Sequence, residues 1–424
     1  MKRYSKWIIC GLLFLATLIN YIDRQTISVL STKIADEMRL NDSDLGKLFF
    51  GFMFTYGLAQ MFVGPVLDRF RVVAAYAVAV TAWSLAGAAS ALSVGFLSLF
   101  LARMLLGVCE SPNWPLALRV VARVFPANQR SLAIGIFQNG LSVSALVAPP
   151  VIIWLTQTWN WRAAFAVCGA IGLLWVAAWT GWFRLTSNGL LNRSPEDEQA
   201  GADPSTHAAG PSGVAEILRS RAFWGLALAT VFINPLEYFY ITWLPRYFDK
   251  YAGVGFGKEL AARLVIAYFA LDIGFFAGGA VASLLAARMG AARGRLAMSV
   301  LGTLCMATIP AATRLHDLDA ITALICVATF GSGVCVVNYL AFVSEVSPRK
   351  ISTAAGLLGG LGSLAGGGFM LLIGGAIEQS HSFRTAFLMT GVMPFAGLLG
   401  LWLCARELRR DGAPEAAAPL PTEP

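Results

Sequence analysis

Charge is what this chain lacks. Only 13% of its 424 residues are charged, while 57% are hydrophobic; soluble domains carry about 25% charged residues. A water-soluble globular class is excluded, and the chain reads as an all-helical protein that crosses a bilayer many times. Histidine is scarcer still: the three, His207, His316 and His381, fall between the apolar runs. Any protons carried through the membrane must therefore travel on carboxylates. The seven cysteines (10, 109, 168, 305, 326, 335 and 404) all sit inside apolar runs, with no CxxC pair. Neither a disulfide framework nor a metal site follows, and no cofactor is expected. A membrane enzyme would need His, Cys or carboxylates clustered near one membrane face at metal or nucleophile spacing. The sequence has no such cluster, so an enzyme is not expected.

What the chain has in quantity is long apolar stretches. Runs of about 20 residues, the length that spans a bilayer, occur at 7–31, 45–66, 72–95, 97–118, 131–156, 162–184, 222–246, 261–287, 296–313, 320–344, 352–377 and 384–405. The opening MKRYSKW imitates a signal peptide, but the run behind it is too long and carries Asp23 and Arg24. It is read as a retained first helix. With both termini cytoplasmic, 20 of the 32 Lys and Arg residues fall in inner segments and ten in outer ones; Arg24 and Arg103 lie within runs. That bias is the positive-inside pattern. The net charge of +8 is thus a matter of topology, and no nucleic-acid partner is expected.

Polar, Pro- and Gly-bearing residues 185–221 separate six runs from six, and 411–424 (DGAPEAAAPLPTEP) are equally unlike a packed segment. The expected organisation is a bundle over 1–184, a cytoplasmic linker over 185–221, a bundle over 222–405 and a disordered tail over 406–424.

Six ionisable groups lie well inside the runs: Asp23, Arg24, Arg103, Glu110, Glu237 and Asp272. A charge near the bilayer centre costs about 2.5–3.5 kcal/mol on insertion scales. Such residues face a wet cavity or a partner, which makes them functional candidates. Arg103 and Glu110 are two turns apart, on one face and about 10 Å apart along the axis. They read either as a tuned pair within a site or as a structural ion pair. Tyr21 and Arg24 share a face; Asp23 points elsewhere. Asp23, Arg24, Arg103 and Glu110 sum to zero when ionised, and protonating both carboxyls leaves a pocket that attracts an organic anion. Polar groups on other runs that suit hydroxyl contacts are Gln138, Asn139, Asn234, Tyr238 and Asn338. Pro235 is expected to break the seventh helix at mid-span. Gly356, Gly359, Gly360, Gly362, Gly366, Gly367 and Gly368 suit close packing and sliding of the eleventh.

Gly64-Pro65-Val66-Leu67-Asp68-Arg69 follows the second run, and Gly279 to Ser283 with Arg288 follows the eighth. This resembles the gating-loop signature of the major facilitator superfamily, with Asp68 and Arg69 as its charged pair. Asn20-Tyr21-Ile22-Asp23-Arg24 and the stretch from Arg103 to Pro115 (RMLLGVCESPNWP) resemble, within that superfamily, the anion:cation symporter family. So do Gly135-Ile136-Phe137-Gln138-Asn139-Gly140, Ala148-Pro149-Pro150 and Trp161-Arg162-Ala163-Ala164-Phe165. Its bacterial hexuronate and sugar-acid branch is the nearest pattern.

The resemblance implies twelve helices in two pseudo-symmetric six-helix bundles, in a bacterial inner membrane. It implies import of a sugar acid with protons by alternating access, the protein acting as a monomer. It assigns Asp23 and Glu110 to protons, Arg24 to the substrate carboxylate, and Tyr21 and Tyr56 to substrate hydroxyls. Asp272 also matches the branch; Glu237 has no counterpart in it. The alternative substrate class is aromatic or dicarboxylic acids. A channel would repeat one pore helix with rings of like residues, whereas the polar residues here differ from run to run.

Overall fold

In a bilayer every backbone amide must find its partner inside the protein, so long apolar runs become helices. The computed structural model describes residues 5–67, 69–125, 127–186, 216–346 and 351–410. Asp68, most of the linker and the chain beyond residue 410 lie outside the described residues. The helices are α1 (Ser5–Val29), α2 (Ser31–Met38), α3 (Asp42–Leu67), α4 (Val72–Ala89), α5 (Phe96–Glu110), α6 (Asn113–Val124), α7 (Ala127–Thr158) and α8 (Trp161–Thr186). After the linker come α9 (Arg221–Arg246), α10 (Lys258–Met289), α11 (Ala291–Met306), α12 (Leu318–Val346), α13 (Ile351–Ser380) and α14 (Arg384–Arg410). No strand occurs among the described residues.

Among the described residues, ten stretches are long and apolar enough to cross a membrane. The other two expected runs also become helices. Residues 45–66 lie within the 26-residue α3, and 97–118 divide into α5 and α6. The division has a local cause: Pro112 lacks an amide donor and its ring crowds the preceding turn, so α5 stops at Glu110. Pro115 then falls in the first turn of α6, where a missing donor costs nothing.

Pro235 acts differently from expectation, because α9 runs through it without interruption. Losing the one bond that a proline cannot donate costs less than opening a whole turn. At the chain's end, α14 continues to Arg410, five residues past the expected 405.

Backbone proximity resolves the chain into two compact units. The first holds the described parts of 1–208, 238–269 and 362–386. In it α1 lies along α7, α3 along α5 and α4 along α8. Its core contains Leu13, Tyr76, Trp83, Phe137 and Trp179. Tyr76, Trp175 and Trp179 stack with centroids 5.0–5.3 Å apart. Their polar ends are bonded: Tyr76 Oη donates to Asn113 Oδ1 (2.7 Å), Trp175 Nε1 to the Leu12 carbonyl (2.8 Å) and Trp179 Nε1 to that of Val73 (3.0 Å). Arg162 and Trp161, at the start of α8, donate to Glu37 of α2, which lies outside the spans, and hold its carboxyl below the ordinary carboxylate range.

At the start of α3 the buried Asp42 pairs with the buried Arg246 at the end of α9. The backbone of α3 and that of α13 touch nearby, at Gly46 and Gly374.

The second unit holds the described parts of 209–237, 270–361 and 387–424. There α11 and α12 meet backbone to backbone: a methyl group on Gly302 would lie 2.6 Å from the Gly331 carbonyl oxygen. Ala282, Met298 and Val334 form a small core beside them.

Candidate functional site

The first unit buries a charged cluster built from three helices. Arg24 projects from α1, and its Nε donates to Glu110 Oε2 across 2.6 Å. The Glu110 side chain is fully buried and that of Arg24 is 13% exposed, so of the two only the guanidinium reaches open space. Three rings surround it: its Cζ lies 4.2 Å from the Tyr56 centroid, 4.9 Å from Tyr21 and 5.3 Å from Phe52. Tyr56 and Phe52, one turn apart on α3, stack on each other at 5.9 Å. Each ring face attracts the cation by about 0.5–2 kcal/mol. The box therefore fixes the guanidinium plane without neutralising it.

Gly107 is what lets α5 bring Glu110 to this place. A methyl group there would sit 2.4 Å from Thr55 Oγ1 and 2.5 Å from the Phe52 carbonyl oxygen, both on α3. Thr55 Oγ1 also donates to the Met104 carbonyl at 2.8 Å, tying the two helices together. Gly107→Ala is expected to lower the thermal unfolding midpoint in detergent, by overpacking of about 1–3 kcal/mol. An unchanged midpoint would show that the close approach of α3 and α5 matters little.

Asp23 and Arg103 lie behind this pair. Asp23 is 2% exposed and sits beside Gly87 of α4, within electrostatic reach of Arg103 and Glu110. Its Oδ2 has no hydrogen-bond partner, nor has the buried Nε of Arg103. Arg103 donates to Ser90 Oγ at 2.6 Å and faces the Phe165 ring at 5.2 Å. The ion pair of Glu110 is thus with Arg24 and not with Arg103, which corrects the structural-pair reading of Arg103 and Glu110. Two turns of one helix separate these side chains by about 10 Å along the axis. The partner across the helix interface is nearer.

The remaining expected residues scatter. Gln138 is half-buried and Asn139 exposed on α7. Tyr238 is half-buried against the core of the first unit, and its ring lies where a methyl group on Gly366 would fall. Arg69 is exposed after α3. Arg119 of α6 donates to the carbonyls of Leu67 (2.8 Å) and Phe70 (3.1 Å) in that same turn. No sequence pattern marked Arg119 for this role.

The second unit has a polar group of its own. Asp272 on α10 and Glu237 on α9 lie within electrostatic reach of each other. Tyr339 on α12 hydrogen-bonds with Thr230 and Asn234 and adjoins Glu237. Asn338 engages its amide nitrogen with the Val334 (2.8 Å) and Gly278 (3.4 Å) carbonyls, leaving its oxygen for other contacts. Glu237 therefore joins a polar set, although its sequence neighbourhood matched no pattern. Among the described residues no three His, Cys, Asp or Glu side chains are grouped to hold a metal ion.

The sequence profile of the Major Facilitator Superfamily matches residues 13–369. A protein of Escherichia coli strain K12 named a probable galactarate/D-glucarate transporter is 28% identical over 96% of both chains. The hexuronate transporter of the same strain is 26% identical over 97% of this chain and 98% of its own. A D-galactonate transporter from E. coli O6:H1 is 26% identical over 95% of this chain and 96% of its own. Among solved structures, a bacterial homologue of the human lysosomal transporter Spinster, in an inward-facing and unoccupied conformation, superposes with a TM-score of 0.76. It is 20% identical, and the match covers 99% of this chain and all of that one.

Proposed function

The chain belongs to the major facilitator superfamily and is a multi-pass membrane transporter, not an enzyme; from that premise we propose that it imports a sugar acid together with protons by alternating access. The substrate class is a hexuronate or aldonate-type anion. The membrane is the bacterial inner membrane, with both termini cytoplasmic, and the working unit is the monomer. The observation that carries this reading is the Arg24–Glu110 pair inside its box of rings. The names of two relatives support the substrate class: one is a hexuronate transporter and one a transporter of the aldonate D-galactonate.

Arg24 is the anion ligand. A guanidinium forks two hydrogen bonds onto one carboxylate and keeps its charge at any working pH. When a substrate carboxylate takes Arg24, Glu110, whose side chain is fully buried, loses its hydrogen-bonded counter-charge. It then binds a proton, because an unpaired buried carboxylate is far costlier than a buried carboxylic acid. Anion and proton each favour the other's binding by the same factor, typically about 1–3 kcal/mol. Asp23 is the second proton carrier, with Arg103 as its counter-charge. Tyr21 and Tyr56 present hydroxyls to the polyol, with Gln138 and Asn139 further along the first unit. In the second unit Asn234, Asp272 and Asn338 are the hydroxyl contacts.

A second reading is transport of dicarboxylic or aromatic acids. It draws on the galactarate/D-glucarate relative, whose named substrates carry two carboxylates, and on the three rings at Arg24. A thermal-shift and counterflow panel of glucuronate, galacturonate, galactonate, galactarate and benzoate at two pH values separates the readings. Stabilisation by the first three, stronger at the lower pH, is expected. Stabilisation by galactarate or benzoate alone would move the assignment to the second class.

A further inference from the structure

The cluster where α3 begins plays no part in holding an anion or a proton at Arg24 and Glu110, yet it is one of the most deliberately built parts of the first unit. Asp42 and Arg246 pair through Oδ1 and Nε with side chains 4% and 1% exposed. Tyr251 Oη donates to the other oxygen, Asp42 Oδ2, at 2.6 Å. The Asp42 backbone amide, at the open N-terminus of α3, donates to Glu378 Oε2 at 2.9 Å. These partners are 204, 209 and 336 residues away from Asp42 in the chain.

The backbone is shaped to bring them together. After Arg246 the helix widens into a π turn, Tyr247–Tyr251, with the Ala252 amide donating to the Tyr247 carbonyl at 2.8 Å. Such turns concentrate at functional positions; this one carries Tyr251 to Asp42. Gly46 and Gly374 let α3 and α13 meet at their backbones: a methyl group on Gly46 would lie 2.9 Å from the Met370 carbonyl oxygen. Around the ions, Phe383 contacts Trp243, Tyr247 and Tyr251, with centroids 4.8–6.2 Å apart, and Phe49 meets Trp243 at 5.5 Å.

We propose that Asp42, Arg246, Tyr251 and Glu378 form a latch that clasps the adjoining ends of α3, α9 and α13 and parts once in every transport cycle. The inference rests on the alternating-access reading. A buried ion pair suits a reversible closure better than an apolar seal alone. Shut, the Asp42 and Arg246 charges compensate each other; parted, both regain water, so neither state strands one of the two. The rings of Phe49, Trp243, Tyr247 and Phe383 exclude water while it is shut. A permanent strut would gain from an apolar replacement of the same volume.

Hydrogen exchange measured by mass spectrometry on the full chain in detergent tests the latch without a substrate. Asp42→Asn is expected to speed exchange by about fivefold or more in peptides covering 239–257 and 369–383, with peptides from α4 and α8 unchanged. Tyr251→Phe, which keeps the ion pair and folds even where Asp42→Asn does not, is expected to do so by a smaller factor. Unchanged exchange in those peptides, or a uniform acceleration across the chain, overturns the latch. In proteoliposomes the same variants are expected to change the half-saturating concentration of the transported anion by more than about threefold. Faster local exchange with unaltered transport would show opening outside the cycle and also overturn the proposal. Failure of the wild-type chain to carry any sugar acid would remove the proposed function while leaving the exchange result to judge the latch.

Discussion

Glu110→Gln abolishes uphill accumulation and leaves exchange intact: that is the result expected in proteoliposomes with an inward-directed proton gradient. The side chain keeps its shape, and its amide oxygen can still accept from Arg24 Nε, which now reaches Glu110 Oε2 at 2.6 Å. What it loses is the proton. One proton per anion, driven by one pH unit, is worth about 1.4 kcal/mol, or a tenfold concentration ratio; if Asp23 and Glu110 relay that one proton, the ratio falls to one without Glu110. Removing one partner of a buried pair usually costs about 3–5 kcal/mol. Here the survivor is the less buried of the two, and three rings still support it. Folding and binding therefore survive, and counterflow continues. A variant that still accumulates its substrate tenfold under the gradient would remove Glu110 from the proton path.

The second large effect is expected at Arg24. Arg24→Lys keeps the charge but replaces a planar fork with a point charge. The stacked contact over Tyr56 at 4.2 Å is lost, as is the second hydrogen bond to a carboxylate. One charge-assisted hydrogen bond is worth about 1.5–3 kcal/mol, so the half-saturating concentration should rise by roughly 10- to 100-fold. Counterflow over a concentration series measures it. A change below threefold would mean that the substrate carboxylate sits elsewhere, with Arg103 as the next candidate.

The helices were legible because a bilayer leaves an apolar run of this length little choice. The break at Ser111–Pro112 falls inside the run expected as a single span over 97–118. The uninterrupted α9 was not visible, since Pro235 looks the same whether its helix stops or continues. Asp23, Arg24, Arg103 and Glu110 stood out because charge in an apolar run is costly. Their pairing did not stand out. Periodicity relates residues on one helix and linked Arg103 to Glu110, whereas the true partner of Glu110 comes from α1 across an interface opened by Gly107. Asp42 and Arg246 were less visible still. Each sits at the end of a run, where a charge is ordinary, and 204 residues separate them.

The distance between Arg24 and Glu110 along the chain has a bearing on how the protein is made. They are 86 residues apart, and synthesis at about 5–20 residues per second leaves roughly 4–17 seconds between the emergence of one and the other. Throughout that interval α1 carries an arginine whose counter-charge does not yet exist, at an insertion cost of about 2.5–3.5 kcal/mol. The apolar residues of the first helix must offset that cost until α5 is made. The ion pair can form only after α5 is made, and a nascent chain halted before residue 110 leaves Arg24 without this partner.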